Sequence, residues 1–361
     1  MARCEVAILT SAVGTGKRGK SALVIDEHNF ARLPSPILIA GFGSAGRRHF
    51  RNLCHLGCNK FIFLRSGHGV LEDQEISGYP SARSLEEVLS YGPKAVIIAT
   101  PTAMHLEIAL AAAEFGCDLY IEKPLGHDLK QAHRLARAVR ERRLVAMVGC
   151  QFRFHPLFIA LEQMVACGQL GRIAGATTEW GEYLPSWHPW EDYRKSYSAR
   201  HELGGGAILT LIHPLDYLYR LFGNWRRVHA MVSRVHSLGT PAGEDWADIG
   251  IAFSNGVLAR AHVDYLQRPP VHCLSVVGDE GRVVCDFQAG ELRWWPAGRD
   301  AVIHRVPAAF DRNMMFFDAM RHFLSCVSDR SEPRVTLSDG ISVLELALEA
   351  RRAAASETSH A

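Results

Sequence analysis

The chain has 361 residues, 48% hydrophobic and 22% charged, with a formal net charge of +2. That length and balance suit a two-domain globular protein and give no reason to expect nucleic acid or an anionic membrane as partner. No apolar run reaches the roughly 18 residues a membrane helix needs, and the N-terminal pattern is not that of a signal peptide. Nine cysteines stand singly, without C-x-x-C pairs, so neither a metal site nor a disulfide framework is indicated and a cytoplasmic setting is expected.

The first apolar segment, "VAILTSAVGTGKRGKSALVID" (6–26), places Gly14, Gly19, Lys20 and Ser21 in P-loop spacing. A working P-loop needs a helix after the serine. Only 14 residues separate Ser21 from Pro36, and they open with the strand-like "ALVID". The simpler reading is a hairpin around a basic glycine turn, in an N-terminal extension over 1–35.

"PILIAG" (36–41) suits a buried parallel strand, and "FGSAG" with the helical "RRHFRNLCHLG" follows. Gly41, Gly43 and Gly46 therefore sit at a strand-to-helix turn in G-x-G-x-x-G spacing. The first permits the turn, the second lets backbone approach a pyrophosphate, and the third lets helix and strand pack closely. With Ser44 and Ala45 they form a dinucleotide site at a helix N-terminus. The next strand, "KFIFL" (60–64), ends in Arg65-Ser66 instead of an acidic residue. That pair favours a 2′-phosphate and hence NADP over NAD. A solvated arginine, or one stacked on adenine with NAD bound, is the alternative.

Helices over 84–92, 105–116 and 128–143 alternate with strands over 94–100, 118–124 and 144–150, which predicts a doubly wound parallel sheet. Ligands of such sheets bind outside the strands' carboxyl ends, where Thr100, Pro101, His105, Glu122, Lys123 and Gln151 fall. Lys123, partly withdrawn from water, could exchange a proton with an alcohol or carbonyl. A surface lysine paired with a carboxylate is the plainer alternative.

After "FRFHP" (152–156) the pattern changes to one helix and then alternating segments with "SNG" and "DEG" turns, a largely antiparallel sheet with one face covered. Helices around 311–329 and 338–354 close the chain, and residues 356–361 read as a disordered tail. The loop "WGEYLPSWHPWEDYRKSYSARHELGGG" (180–206) is rich in aromatic and charged groups that suit a polyhydroxylated ligand, among them Trp187, His188, Tyr193, Arg194 and Tyr197. In "GGGAILTLIHPLDYLYRLFG" (204–223), His213, Asp216 and Tyr217 share one helical face. His213 suits acid–base work near neutral pH, although a lone histidine is more often a core residue bonded to a carbonyl.

The ordered set "GFGSAG", "ATPTAMH", "IEKP", "FRFHP" and "GGG" with a following histidine resembles the glucose–fructose oxidoreductase / inositol dehydrogenase / MocA family over about 36–355. The resemblance implies an α/β fold: a Rossmann domain over 36–155, then a substrate domain over 156–355 whose open sheet often serves oligomerisation. It also implies NAD(P)-dependent redox chemistry on sugars or cyclitols. The family's "EKP" lysine falls on Lys123 and its histidine on His213. Many members carry an aspartate a turn before that histidine. Thr210 stands here instead, with Asp216 one turn later. Arg153, Thr210 and Asp216 join the loop residues as expected substrate contacts. A catalytically silent sensor, or a glycosidase using a transient keto-sugar, would share the same cofactor site.

Overall fold

A computed structural model describes residues 33–67, 74–234, 238–239 and 243–358, so the hairpin expected at 6–26 lies outside the described residues. Strands β1 (Ile37–Ala40), β2 (Phe61–Leu64), β3 (Ser81–Ala82), β4 (Ala95–Ile98), β5 (Asp118–Glu122) and β6 (Ala146–Gly149) form a six-stranded parallel sheet in the order β3-β2-β1-β4-β5-β6. Apart from the β3 edge, every residue of these strands is buried. Such strands need apolar side chains on both faces, which is why they read as unbroken apolar runs.

Helices α1 (Ser44–His55), α2 (Leu85–Ser90), α3 (His105–Phe115) and α4 (Leu129–Glu141) connect them. Their ends follow local chemistry. Asp128 caps α4 by accepting the Gln131 N–H at 3.1 Å, and α3 stops at Gly116 in the left-handed region.

The second half begins with α5 (Pro156–Ala166) and holds an eight-stranded sheet. Its strands are β7 (Ile173–Gly181), β8 (Trp225–Ser233), β9 (Trp246–Phe253), β10 (Leu258–Asp264), β11 (Val271–Gly278), β12 (Gly281–Asp286), β13 (Glu291–Pro296) and β14 (Val302–Arg305). The order is β14-β13-β12-β11-β7-β10-β9-β8, antiparallel except where β10 runs parallel to β7. Helices α5, α6 (Ala207–Thr210), α7 (His213–Phe222), α8 (Arg312–Asp329) and α9 (Leu337–Thr358) complete the fold. The alternation is strict in β9, where Ala247, Ile249, Ile251 and Phe253 point inward and are buried. The outward positions of the sheet expose Met231, Leu258, Val277 and Trp295.

Two short edge strands, β3 and β14, fall where no strand was expected. The tail expectation is corrected as well: α9 continues through residues 356–358 to Thr358. "EARRAAASET" holds no helix breaker, and alanine is the strongest helix former.

One buried ion pair joins the halves. Arg153, in the turn after β6, is fully buried. Its Nε and Nη2 donate to Asp216 of α7 at 2.6–3.0 Å, and its Nη1 donates to Asp339 of α9 at 2.9 Å. Burial works against the guanidinium charge, but the adjacent Asp216 outweighs it and raises the pKa. Replacing Arg153 by Met should strand Asp216 as an unpaired buried charge. The expected loss is about 3–5 kcal/mol in a chemical denaturation curve.

Candidate active site

The turn after β1 is built for close backbone approach. A Cβ added to Gly46 would stand 2.1 Å from the Gly41 carbonyl oxygen, so that position admits no side chain. A Cβ on Gly43 would meet no heavy atom within 4 Å. The space beside the turn is therefore open to a ligand. Ser44, Ala45 and Gly46 form the first turn of α1, which no side chain caps. The N–H groups there lack intrahelical partners and suit a pyrophosphate.

Arg65 and Ser66 leave the carboxyl end of β2, and the Arg65 N–H donates to the Ala82 carbonyl at 3.0 Å. The pairing of Leu64 with Ala82 carries Arg83 alongside them. Its guanidinium lies over Gly67, where an added Cβ would stand 2.7 Å from Nη2. Sequence reading missed Arg83 because β3 is only two residues long.

At the next strand ends, Thr100 and Pro101 are half-buried, and the Thr100 hydroxyl is buried without a partner. Two expected cofactor contacts have hydrogen-bond partners within the chain. His105 is buried, with Nδ1 2.9 Å from the Pro124 carbonyl oxygen and Nε2 2.8 Å from that of Thr100. It clamps two strand-end loops together. Glu122 Oε1 lies 2.6 Å from His49 Nε2 of α1, and its Oε2 accepts the Lys123 N–H at 3.1 Å. Burial alone would raise this carboxyl, but the bond to His49 and the charges of His49, Lys123 and Arg48 hold it below its ordinary value. Both side chains are committed within the protein and position the turn and the lysine.

Lys123 reaches across to the second half, where its Nζ donates to the Thr210 carbonyl at 2.8 Å. Thr210 thus contributes backbone oxygen to the site. One residue past α6 and its short linker, His213 begins α7, fully buried with neither ring nitrogen hydrogen-bonded. Burial, then the nearby Lys123, His272 and Arg312, push its pKa well down, so the ring is neutral at pH 7. The bland expectation of a histidine satisfied by a carbonyl is not what the geometry shows.

His213 stacks on Trp180 at 5.3 Å and meets the Phe152 ring edge-on at 4.9 Å. Trp180 and His272 are direct cross-strand partners on β7 and β11, which explains their stacking at 4.2 Å. The Tyr217 hydroxyl and His272 Nε2 lie 3.0 Å apart. Beyond these rings opens a pocket of about 200 Å³ with Phe152, His155, Trp180, His272, Phe287 and Phe310 in its walls. Glu182 and Arg312 also line it. Phe152, His155, Trp180 and Glu182 lie in segments the sequence marked, but none of the pocket's residues was named individually from the sequence. They come from five separate segments that only the folded sheet assembles.

Several expected substrate contacts are placed elsewhere. Arg153 and Asp216 are consumed by each other. The Tyr193 hydroxyl donates to the Leu238 carbonyl at 2.6 Å and anchors the loop, while Arg194 pairs with Asp192 on the surface at 2.9 Å. Trp187 packs edge-on against Tyr265 at 5.6 Å. Trp187 Nε1 and His188 Nδ1 are buried without partners, Tyr197 is half-buried, and Gln151 is buried. Cys150, His213 and Asp216 each bring one polar atom within 4.8 Å of the others. Arg153 already neutralises that carboxylate, and burial pushes the Cys150 thiol well up, so a cation would find no free anionic ligand.

A dinucleotide turn facing a lysine and a neutral histidine defines an NAD-binding oxidoreductase. The model of the oxidoreductase family with NAD-binding Rossmann fold matches residues 36–150, and that of the GFO/IDH/MocA C-terminal domain matches residues 158–284. The chain belongs to the Gfo/Idh/MocA oxidoreductase family. It is 27% identical to 1,5-anhydro-D-fructose reductase of Ensifer adhaerens, over 76% of this chain and 82% of that one. It is 26% identical to scyllo-inositol 2-dehydrogenase (NAD(+)) of Bacillus subtilis, over 72% and 75% respectively. In fold it is similar to levoglucosan dehydrogenase in complex with NADH and levoglucosan, with a TM-score of 0.78 at 19% identity over 89% of this chain and 97% of that one.

The buried histidines set an acid limit. Burial lowers His155 from 6.5 to about 4, and His213 and His272 are lowered for the same reason. The unfolded chain therefore takes up these protons first. Stability is full above pH 6.5 and falls as pH drops toward about 4, with His155 alone worth roughly 3 kcal/mol. Thermal unfolding followed from about pH 7.5 to 4.5 should show this decline. The substitution His155→Asn should reduce it, leaving the share of His213 and His272.

Proposed function

We propose that the protein is an NAD(P)-dependent oxidoreductase passing a hydride between nicotinamide and a hydroxyl-bearing carbon of a sugar, aminosugar, nucleotide-linked sugar or cyclitol. The observation that supports this reading is Lys123, at the carboxyl end of β5, bonded to the Thr210 carbonyl three residues before the buried His213 and near enough to lower that ring's pKa. When bound, the dinucleotide supplies or accepts the hydride. Gly41, Gly43, Ser44, Ala45, Gly46, Thr100 and Pro101 would hold it. Lys123 has three N–H donors and uses one on Thr210, so another can polarise the reacting oxygen. Neutral His213 can take the alcohol proton or return it. Its two unpartnered nitrogens are the reason to assign it that task.

The names of the relatives, an anhydrosugar reductase and an inositol dehydrogenase, support a polyhydroxylated substrate. Aromatic pocket walls suit the apolar faces of such a ring. Arg65 and Ser66, with Arg83 beside them, favour NADP through its 2′-phosphate. The outward face of the eight-stranded sheet, with Met231 68% and Leu258 62% exposed, supports a homo-oligomer formed through that sheet. Every described cysteine is free, which supports the cytoplasm, and no helix among the described residues is long and apolar enough to cross a membrane.

A cofactor-absorbance assay on sugars tests the assignment. Lys123→Ala should lower kcat at least a hundredfold while NAD(P) binding persists, with NADP held more tightly than NAD. An undiminished kcat would remove Lys123 from the chemistry.

A further inference from the structure

Charged groups around the site differ in whether they are paired within the chain. Glu122 is committed to His49, and Asp216 to Arg153. Glu182 accepts the Trp180 N–H at 2.8 Å and faces the pocket. Against these, two guanidinium groups beside the first turn of α8 have no hydrogen-bond or ion-pair partner among the described residues. Arg312, exposed on that turn, lines the pocket itself. Arg48 of α1 lies 4.0 Å over the Phe316 ring of α8.

Arg312 does not pair with Glu182 across the pocket, although both line it. The pocket is thus polarised, with a hydroxyl-accepting carboxylate and a separate cation. The field points the same way. Burial depresses Arg48, Glu122 partly offsets this, and Arg312 depresses it further. His272 is pushed down by burial first, with Arg312 contributing in the same direction.

We propose that the substrate is an acidic sugar, whose carboxylate or phosphate is held by Arg312 in the pocket walled by Trp180 and His272. An exposed arginine without an acid partner at the rim of an aromatic-walled pocket is an arrangement that planar or tetrahedral anions complete. A volume of about 200 Å³ holds one pyranose ring with its acid group directed to α8. Glu182 would accept from ring hydroxyls at the other end. Arg48 reinforces the positive potential without touching this pocket. The inference rests on this pocket being the sugar site.

Calorimetric titration of the full chain loaded with NAD(P) separates the possibilities. The probes are D-glucuronate, D-glucose 6-phosphate and D-glucose. At least one acidic sugar should bind tenfold or more tightly than glucose, the lower range for a hydrogen bond to a charged group. The preferred probe tells carboxylate from phosphate. In Arg312→Gln the acid-to-neutral ratio should fall to within about threefold of unity, and Arg312→Lys should restore part of it. Equal binding of acidic and neutral probes, absence of binding by all three, or an unchanged ratio in Arg312→Gln would overturn the proposal. The readout needs no turnover. Acid preference without hydride transfer would sink the oxidoreductase reading alone, and turnover without acid preference would sink only this one.

Discussion

The hydrogen bond from Lys123 Nζ to the Thr210 carbonyl is the contact on which the site depends. It spans the two halves of the chain, 87 residues apart in sequence. Lys123 belongs to the Rossmann sheet and Thr210 to the substrate half, so the reacting groups converge only if both halves hold their relative position. The buried Arg153 cluster serves that end, tying the turn after β6 to α7 and α9. His105 and Glu122 do comparable work on the cofactor side, fixing strand-end loops and α1 around the lysine. Each is a polar group whose burial is tolerated because it is paired. His213 differs from these, buried with both nitrogens unpaired. A cost of that kind is left uncompensated within the chain.

Electrostatics then divide the cleft by task. Carboxylates that could repel a dinucleotide's phosphates or an anionic sugar are hydrogen-bonded by His49 and Arg153. The cations left over face open space. Lys123, Arg312 and Arg48 thus set a positive field while His213 stays uncharged, and a neutral imidazole beside an ammonium can accept a proton that the ammonium cannot. Thr210 stands where the family resemblance leads one to expect an aspartate. Its backbone oxygen accepts from Lys123 whatever the side chain.

Much of the fold was legible because parallel strands buried on both faces read as apolar runs, and glycine and cap residues mark the turns between them. "GFGSAG" and "IEKP" could be placed because each rests on local geometry: a strand-to-helix turn and a strand end. What escaped was non-local. Glu122 looked like a cofactor contact because its partner His49 lies 73 residues away. Arg153 and Asp216 looked like two substrate contacts because nothing in the sequence pairs them. The aromatic loop misled in another way: its residues are functional in type, yet Tyr193 and Arg194 spend their polar groups on the loop's own shape. Trp180, His272 and Arg312 were missed because only sheet register and the docking of α8 bring them to one pocket.

The central claim is that hydride moves between this chain's cofactor and a sugar carbon at Lys123. Mass spectrometry of the cofactor tests it most directly, after incubating the wild-type protein and NAD(P)+ with sugars fully deuterated on carbon. The account predicts reduced cofactor carrying one deuteron from at least one sugar, with the label absent in Lys123→Ala. Saturated cofactor binding with no deuterium transferred from any sugar, acidic or neutral, would contradict it.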